Sequence, residues 1–234
     1  MAPHATEINA PTNLPRIGSY TLNHIQTYPN RTAWTVDANR AVLLIHDMQQ
    51  YFVQAFDRTD PQAHINTAIT HTQNLLQQAR NHRVPVVYTA QKPHQKPHER
   101  GLLTDFWGTG LTADGSDNII PELTPHTEDV LLTKWRYSAF SRTDLLEHMR
   151  AHGRDQLIIT GIYAHIGCLT TALVAFMEDI QAFIVPEATA DFSADEHHHA
   201  LKYAATRCAN VKPANQLVDE LHSSARTPAH QGAL

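Results

Sequence analysis

Apolar residues in this chain gather into short continuous runs, and between the runs they fall at the three-to-four-residue spacing of helices. AVLLIH at 41–46 has no polar alternation, which is the pattern of a strand covered on both faces. HINTAITHTQNLLQQAR follows, with Ile65, Ile69, Leu75, Leu76 and Ala79 near helical spacing, and then VPVVYTA at 84–90. After a long insertion the alternation resumes with DVLLTK at 129–134, a helix over SRTDLLEHMRAHG and QLIITG at 156–161. A helix over CLTTALVAFMEDI leads to AFIVP at 182–186, and one over SADEHHHALKYAATR leads to a short ANVK. Thr143 or Ser141 can cap the helix after DVLLTK, and Gly153 can end it. Six strands alternating with helices predict a three-layer αβα sandwich with a mainly parallel, Rossmann-like sheet. Sites in such a sheet lie at the carboxyl ends of strands, where the strand order reverses.

The remaining segments are trimmings on that body. Residues 1–38 mix proline, asparagine and threonine with scattered apolar residues, an irregular arm laid over a domain at 39–221. The stretch 222–234, HSSARTPAHQGAL, is small and polar and is expected to be a disordered tail. With 42% hydrophobic residues the chain can build a core, and it contains no apolar run of membrane-spanning length. Eighteen basic against twenty-three acidic side chains give a net charge of −5, which argues against nucleic acid or an anionic membrane as partner. Cys168 and Cys208 cannot form a disulfide scaffold, and the N-terminal residues lack a secretory pattern, so a cytoplasmic location is expected.

Three strand ends carry candidate chemistry: Asp47 after AVLLIH, Lys134 after DVLLT, and the turn GIYAHIGC after QLIIT. Singly each has an ordinary explanation, because an aspartate after a strand often caps a helix and a lysine there often snorkels. Together they form a constellation that this fold would bring to one place.

Four blocks, IHDMQQYF at 45–52, KWRYSAF at 134–140, GIYAHIGC at 161–168 and ADFSADEH at 190–197, resemble the isochorismatases of siderophore biosynthesis. Their near relatives include phenazine-pathway hydrolases of the 2-amino analogue. The resemblance implies hydrolysis of the enolpyruvyl ether of isochorismate, a small dianion, to 2,3-dihydro-2,3-dihydroxybenzoate and pyruvate. It also implies a homodimer or higher oligomer, with an aryl carrier protein as a partner in trans. The alternatives are hydrolysis of 2-amino-2-deoxyisochorismate and, in a different class, a noncatalytic carrier-protein docking module. The chain shows no Asp-Ser-Leu carrier motif, so a hydrolase domain without a carrier domain is expected.

The wider superfamily contains cysteine hydrolases with an Asp, a Lys and a Cys nucleophile at these strand ends. Laying their Gly, five residues, Cys pattern on this chain puts Gly161 first and Gly167 at the nucleophile position, with Cys168 one step beyond. One residue along a helix turns a side chain by about 100°, so Cys168 is expected to be a packed, inert thiol. A vinyl ether needs no nucleophilic side chain, since a single acid can protonate its methylene and water can capture the oxocarbenium ion. Asp47 is the expected acid: the apolar strand end and a dianionic ligand raise its pKa, Lys134 opposes them, and the balance is expected to tip toward the protonated form only in the complex.

By motif position, Gln91, Arg100, Lys134 and the Gly167 N–H resemble the family's carboxylate-binding groups, and Tyr163 adds a hydroxyl. Tyr51, Phe52, Trp107 and Tyr137 resemble pocket walls. Arg100 reads equally as a solvated loop charge. His165 reads as a substrate contact or as a residue that holds its turn. GTGLTA at 108–113 follows no strand and is not a dinucleotide turn, and KPHQKPH at 92–98 reads as a loop. His197, His198 and His199 point in different directions on a helix and are expected to be solvated. His94 and His98 lack the Asp-x-His context of the amidases, so neither a metal nor another cofactor is expected.

Overall fold

In the computed structural model the described residues are 14–22 and 28–226. Strands β1 (Ala41–His46), β2 (Val86–Gln91), β3 (Val130–Lys134), β4 (Gln156–Ile162), β5 (Gln181–Ala190) and β6 (Ala209–Val211) form one sheet. All pairs are parallel, in the order β3-β2-β1-β4-β5-β6. The short helices α1 (Gln50–Val53), α3 (Pro97–Arg100) and α4 (Leu103–Trp107) sit in loops. The larger ones are α2 (His64–Asn81), α5 (Leu145–Ala151), α6 (Leu169–Met177), α7 (Ala194–Arg207) and α8 (Ala214–Arg226). No helix among the described residues is long and apolar enough to cross a membrane.

The sheet is covered on both faces, which is why its strands read as unbroken apolar runs. Leu43, Ile45, Val86, Tyr88 and Phe183 pack into one core with α2 and α8, while Val42, Leu44, Val87, Leu157 and Ile184 pack into another with α5, α6 and α7. The chain builds outward from β1 to β3 and then returns to β4 on the other side of β1, so the order reverses between β1 and β4. These strands end side by side at His46 and Gly161. Gly161 has φ 103°, and a Cβ there would lie 2.2 Å from the His46 carbonyl, so only glycine lets the two strand ends meet.

Several boundaries differ from expectation for local reasons. β5 continues past Pro186 to Ala190 because the proline, which has no N–H, falls within an irregularity: Ile159 pairs Ile184, but Gly161 pairs Thr189. α5 starts at Leu145 rather than 141, with Asp144 before it making no side-chain cap; Thr143 Oγ1, not Ser141, accepts from the Leu145 N–H at 3.4 Å. Gly153 does end α5, at φ 62°, with the Arg154 N–H donating to Met149 O.

Residues 222–226, expected to be frayed, complete α8, which buries Leu217 and Leu221 against α2; residues 227–234 of the expected tail lie outside the described residues. Within the expected arm, Ile17 bridges Phe56, and the Asn30 side chain both donates to and accepts from the Val211 backbone beside β6. His197 is not solvated. It is fully buried, bonded through Nε2 to Thr189 Oγ1 at 2.9 Å and through Nδ1 to Tyr20 at 3.3 Å. His198 meets the Tyr28 hydroxyl and only His199 is exposed, because a helix packed on a sheet must turn one of three consecutive residues inward.

Candidate active site

β1 ends in His46 and Asp47 at the reversal point, and Asp47 has φ 53°, a left-handed conformation that aspartate tolerates better than most residues. Its N–H bonds the Thr89 carbonyl at the end of β2, and Thr89 Oγ1 donates to Asp47 Oδ1 at 2.7 Å. From the end of β3, Lys134 Nζ reaches Asp47 Oδ2 at 2.8 Å, and both side chains are almost wholly buried. Three adjacent parallel strands thus deliver one carboxylate, one ammonium and one hydroxyl to a single point.

Burial alone would raise the Asp47 carboxyl, but Lys134, His46 and the hydrogen bonds from Lys134 and Thr89 outweigh it and hold the group below the ordinary aspartate range. In the protein alone the cation in direct contact thus dominates the apolar surroundings, the opposition expected of Lys134; the upward shift is expected only with a dianion bound.

Around this pair lies a cleft with about 590 Å³ of atom-free space, open mouth included. All ten residues singled out from the sequence line it: Asp47, Tyr51, Phe52, Gln91, Arg100, Trp107, Lys134, Tyr137, Tyr163 and Gly167. Arg100 is no solvated loop charge. The residue is 4% exposed, and its guanidinium partners are the neutral Gly108 O, Trp107 O, Gln91 Oε1 and Gln95 Oε1. A Cβ at Gly110 would come within 2.5 Å of Arg100 Nη1, so the GTG turn that imitates a nucleotide loop wraps this arginine. Trp107 Nε1 donates to the Tyr137 hydroxyl at 2.9 Å, tying α4 to the segment after β3.

Tyr163 does not offer the expected free donor. Its hydroxyl already donates to Phe52 O at 3.2 Å, and its ring packs with Phe52, Phe56 and Phe192. His165 holds its turn: its N–H donates to Asp191 Oδ2 and its Nδ1 meets Asp191 Oδ1, and it is not among the cleft-lining residues. Asp191 and Glu196 stand close enough to His165 to share a cation. However, Asp191 also accepts from the Phe192 N–H, and Glu196 accepts from Ser193, whose Oγ caps α7. Cys168 is buried in the core on the α6 side, and burial pushes its thiol well above the ordinary range.

Leu14, His46, Leu103, Arg136, Ile162 and Ile166 also line the cleft and were not read from the sequence. Arg136 sits two residues after Lys134 in KWRYSAF, but its direction depends on bonds to Glu99 O in α3 and to Trp135 O. His46 reads as part of an apolar strand. Its ring is fully buried, with Nδ1 2.8 Å from Ile162 O and Nε2 3.3 Å from Tyr137 O.

Burial first, and Lys134 second, push His46 down from 6.5 to about 4. Above pH 6.5 the ring is neutral in both the folded and the unfolded chain; as pH falls the unfolded chain protonates first, so stability is lost between about 6.5 and 4. A shift of that size corresponds to roughly 3 kcal/mol. His64 and His197, also lowered chiefly by burial, act in the same direction. The thermal midpoint should fall steadily through this window, and His46→Asn should flatten the slope. An unchanged slope in that variant would show that His46 does not contribute.

A family model described as the Isochorismatase domain matches residues 41–216. The "Isochorismatase" of Bacillus subtilis (strain 168) is 53% identical over 214 residues, 90% of this chain and 68% of that protein. "Phenazine biosynthesis protein PhzD" of Pseudomonas fluorescens is 44% identical over 209 residues, 88% of this chain and 99% of that one. Among solved structures, a cysteine hydrolase from Pseudomonas syringae pv. phaseolicola 1448A superposes with a TM-score of 0.73 at 22% identity. That match covers 85% of this chain and 99% of the other, and it establishes likeness of fold.

Proposed function

Because the chain belongs to the isochorismatase family, we propose that it hydrolyses the enolpyruvyl ether of isochorismate to 2,3-dihydro-2,3-dihydroxybenzoate and pyruvate, with Asp47 as general acid and no covalent intermediate. One observation carries this reading. Among the described residues lining the cleft, Asp47 is the only acid, against Lys134, Arg100 and Arg136. Asp47 and Lys134 offset each other, so the cleft carries a surplus of two positive charges, which matches a substrate with two carboxylates.

Binding of a dianion brings negative charge beside Asp47 and displaces water, and both effects raise its pKa and favour the protonated form. The carboxyl then delivers its proton to the terminal methylene carbon, leaving an oxocarbenium ion at the ether carbon. Water adds to that carbon and returns a proton to Asp47. The resulting hemiketal breaks its bond to the ring oxygen, the hemiketal hydroxyl losing its proton to that oxygen as its own C–O becomes the pyruvate carbonyl, so the ring keeps a hydroxyl and pyruvate leaves. The net change is addition of one water. Lys134 orients the carboxyl and holds the substrate while its charge changes. Steady-state kinetics on isochorismate and its 2-amino analogue, measured side by side, test the substrate; a kcat/KM favouring the amino compound would overturn this choice.

Arg100→Ala should raise KM by roughly ten- to a hundredfold with little change in kcat, because a carboxylate contact present in both ground and transition states, worth about 1.5–3 kcal/mol, acts as uniform binding. An unchanged KM would remove Arg100 from the binding groups.

A further inference from the structure

Position 167 is the place where the cysteine-hydrolase pattern puts its nucleophile, and in this chain that place is physically taken. A Cβ built on Gly167 would lie 2.1 Å from Cε1 of His46, 2.8 Å from its Nε2 and 3.0 Å from its Nδ1. Real side chains do not approach so closely, so one of the two must yield. The ring cannot swing aside easily: it is fully buried, with Nδ1 placed to donate to Ile162 O at 2.8 Å. Nor can its backbone retreat, since the His46 carbonyl already fills the space where Gly161 lacks a Cβ. Two glycines therefore accommodate one histidine, Gly161 its main chain and Gly167 its ring. Both His46 and Gly167 line the cleft, so this contact forms part of the site wall. His46 Nδ1 also stands 3.7 Å from Asp47 Oδ2, which places the ring behind the acid.

We propose that His46 is a specificity-determining and positioning residue that reserves position 167 for glycine and so commits the cleft to an acid and water rather than a side-chain nucleophile. The reaction class is then set by a residue that takes no part in the chemistry. A nucleophile could enter only if His46 were lost first, so the two positions are coupled. The idea rests on the ether-hydrolysis reading above, but its test needs no turnover.

A double-mutant cycle reads the coupling directly. Gly167→Ala in the parent should lower the thermal midpoint by roughly 10 °C, the scale of severe overpacking, and should reduce kcat by moving His46 against Asp47. In a His46→Ala background the same change should cost no more than about 2 °C. If His46→Ala cannot be purified, His46→Asn supplies the same background, since it keeps a donor for Ile162 O while vacating the Cε1 and Nε2 positions. A second readout asks whether the vacated space faces the cleft. In His46→Ala/Gly167→Cys, iodoacetamide should alkylate the introduced thiol, its thiolate sulfur bonding to carbon as iodide leaves, while Cys168 stays unlabelled as in the parent. Equal midpoint penalties for Gly167→Ala in both backgrounds, or an introduced thiol that resists iodoacetamide in folded protein, would overturn the proposal. Failure of isochorismate hydrolysis by the parent would instead count against the proposed function alone.

Discussion

Asp47→Asn should lower kcat by roughly a hundredfold to ten-thousandfold, the range that general acid catalysis contributes, with KM changed little. The substitution keeps the shape of the side chain and leaves an amide oxygen to accept from Thr89 Oγ1, so the geometry at the end of β1 survives. It removes the one acid among the described residues that line the cleft, the proposed donor of the proton to the methylene carbon. The cost to folding is separate. Lys134, 2% exposed, loses its carboxylate partner, and breaking a buried pair from one side typically costs about 3–5 kcal/mol, so the midpoint should fall as well. Kinetics measured well below that midpoint separate the two losses. Turnover within about threefold of the parent would place the acid elsewhere.

Lys134→Ala should lower kcat and raise KM together, because one ammonium is proposed both to orient Asp47 and to hold a substrate carboxylate. Its particular signature lies in the pH profile. Lys134 is the foremost influence holding the Asp47 carboxyl down against burial, so without it that pKa should rise. The protonated form then persists to higher pH, and the alkaline fall in kcat should move upward relative to the parent. The residual rate stays low because the charge developing beside the acid has lost its stabiliser. Loss of affinity alone, with kcat preserved and the profile unmoved, would reduce Lys134 to a binding group.

Strand number, sheet direction and the meeting of Asp47, Lys134 and the turn that carries Gly167 were legible because each depends on short-range signals, whereas the other cleft residues came from the family resemblance. Doubly covered strands read as unbroken apolar runs, and a parallel sheet brings the residues that follow its strands to one edge. What escaped depends on contacts between distant segments. The direction of Arg136 is set by a carbonyl in the α3 loop. The Tyr163 hydroxyl is satisfied by Phe52 O, 111 positions earlier, which no local pattern announces. The size of the Asp47 shift was not legible, because it depends on a 2.8 Å contact that spacing cannot measure. His46 was hidden inside AVLLIH, where a polar residue ending an apolar run is the available cue, and its meaning appears only when Gly167 is placed against the ring.

The central claim, protonation of carbon followed by capture of the ether carbon by water, is tested most directly by oxygen tracing. A single turnover of isochorismate in H2(18)O, with pyruvate reduced at once to lactate to prevent exchange, should place the label in the three-carbon product and none in the dihydrodiol. Label in a ring hydroxyl would mean that water attacks the ring and breaks the other C–O bond, and would contradict the account.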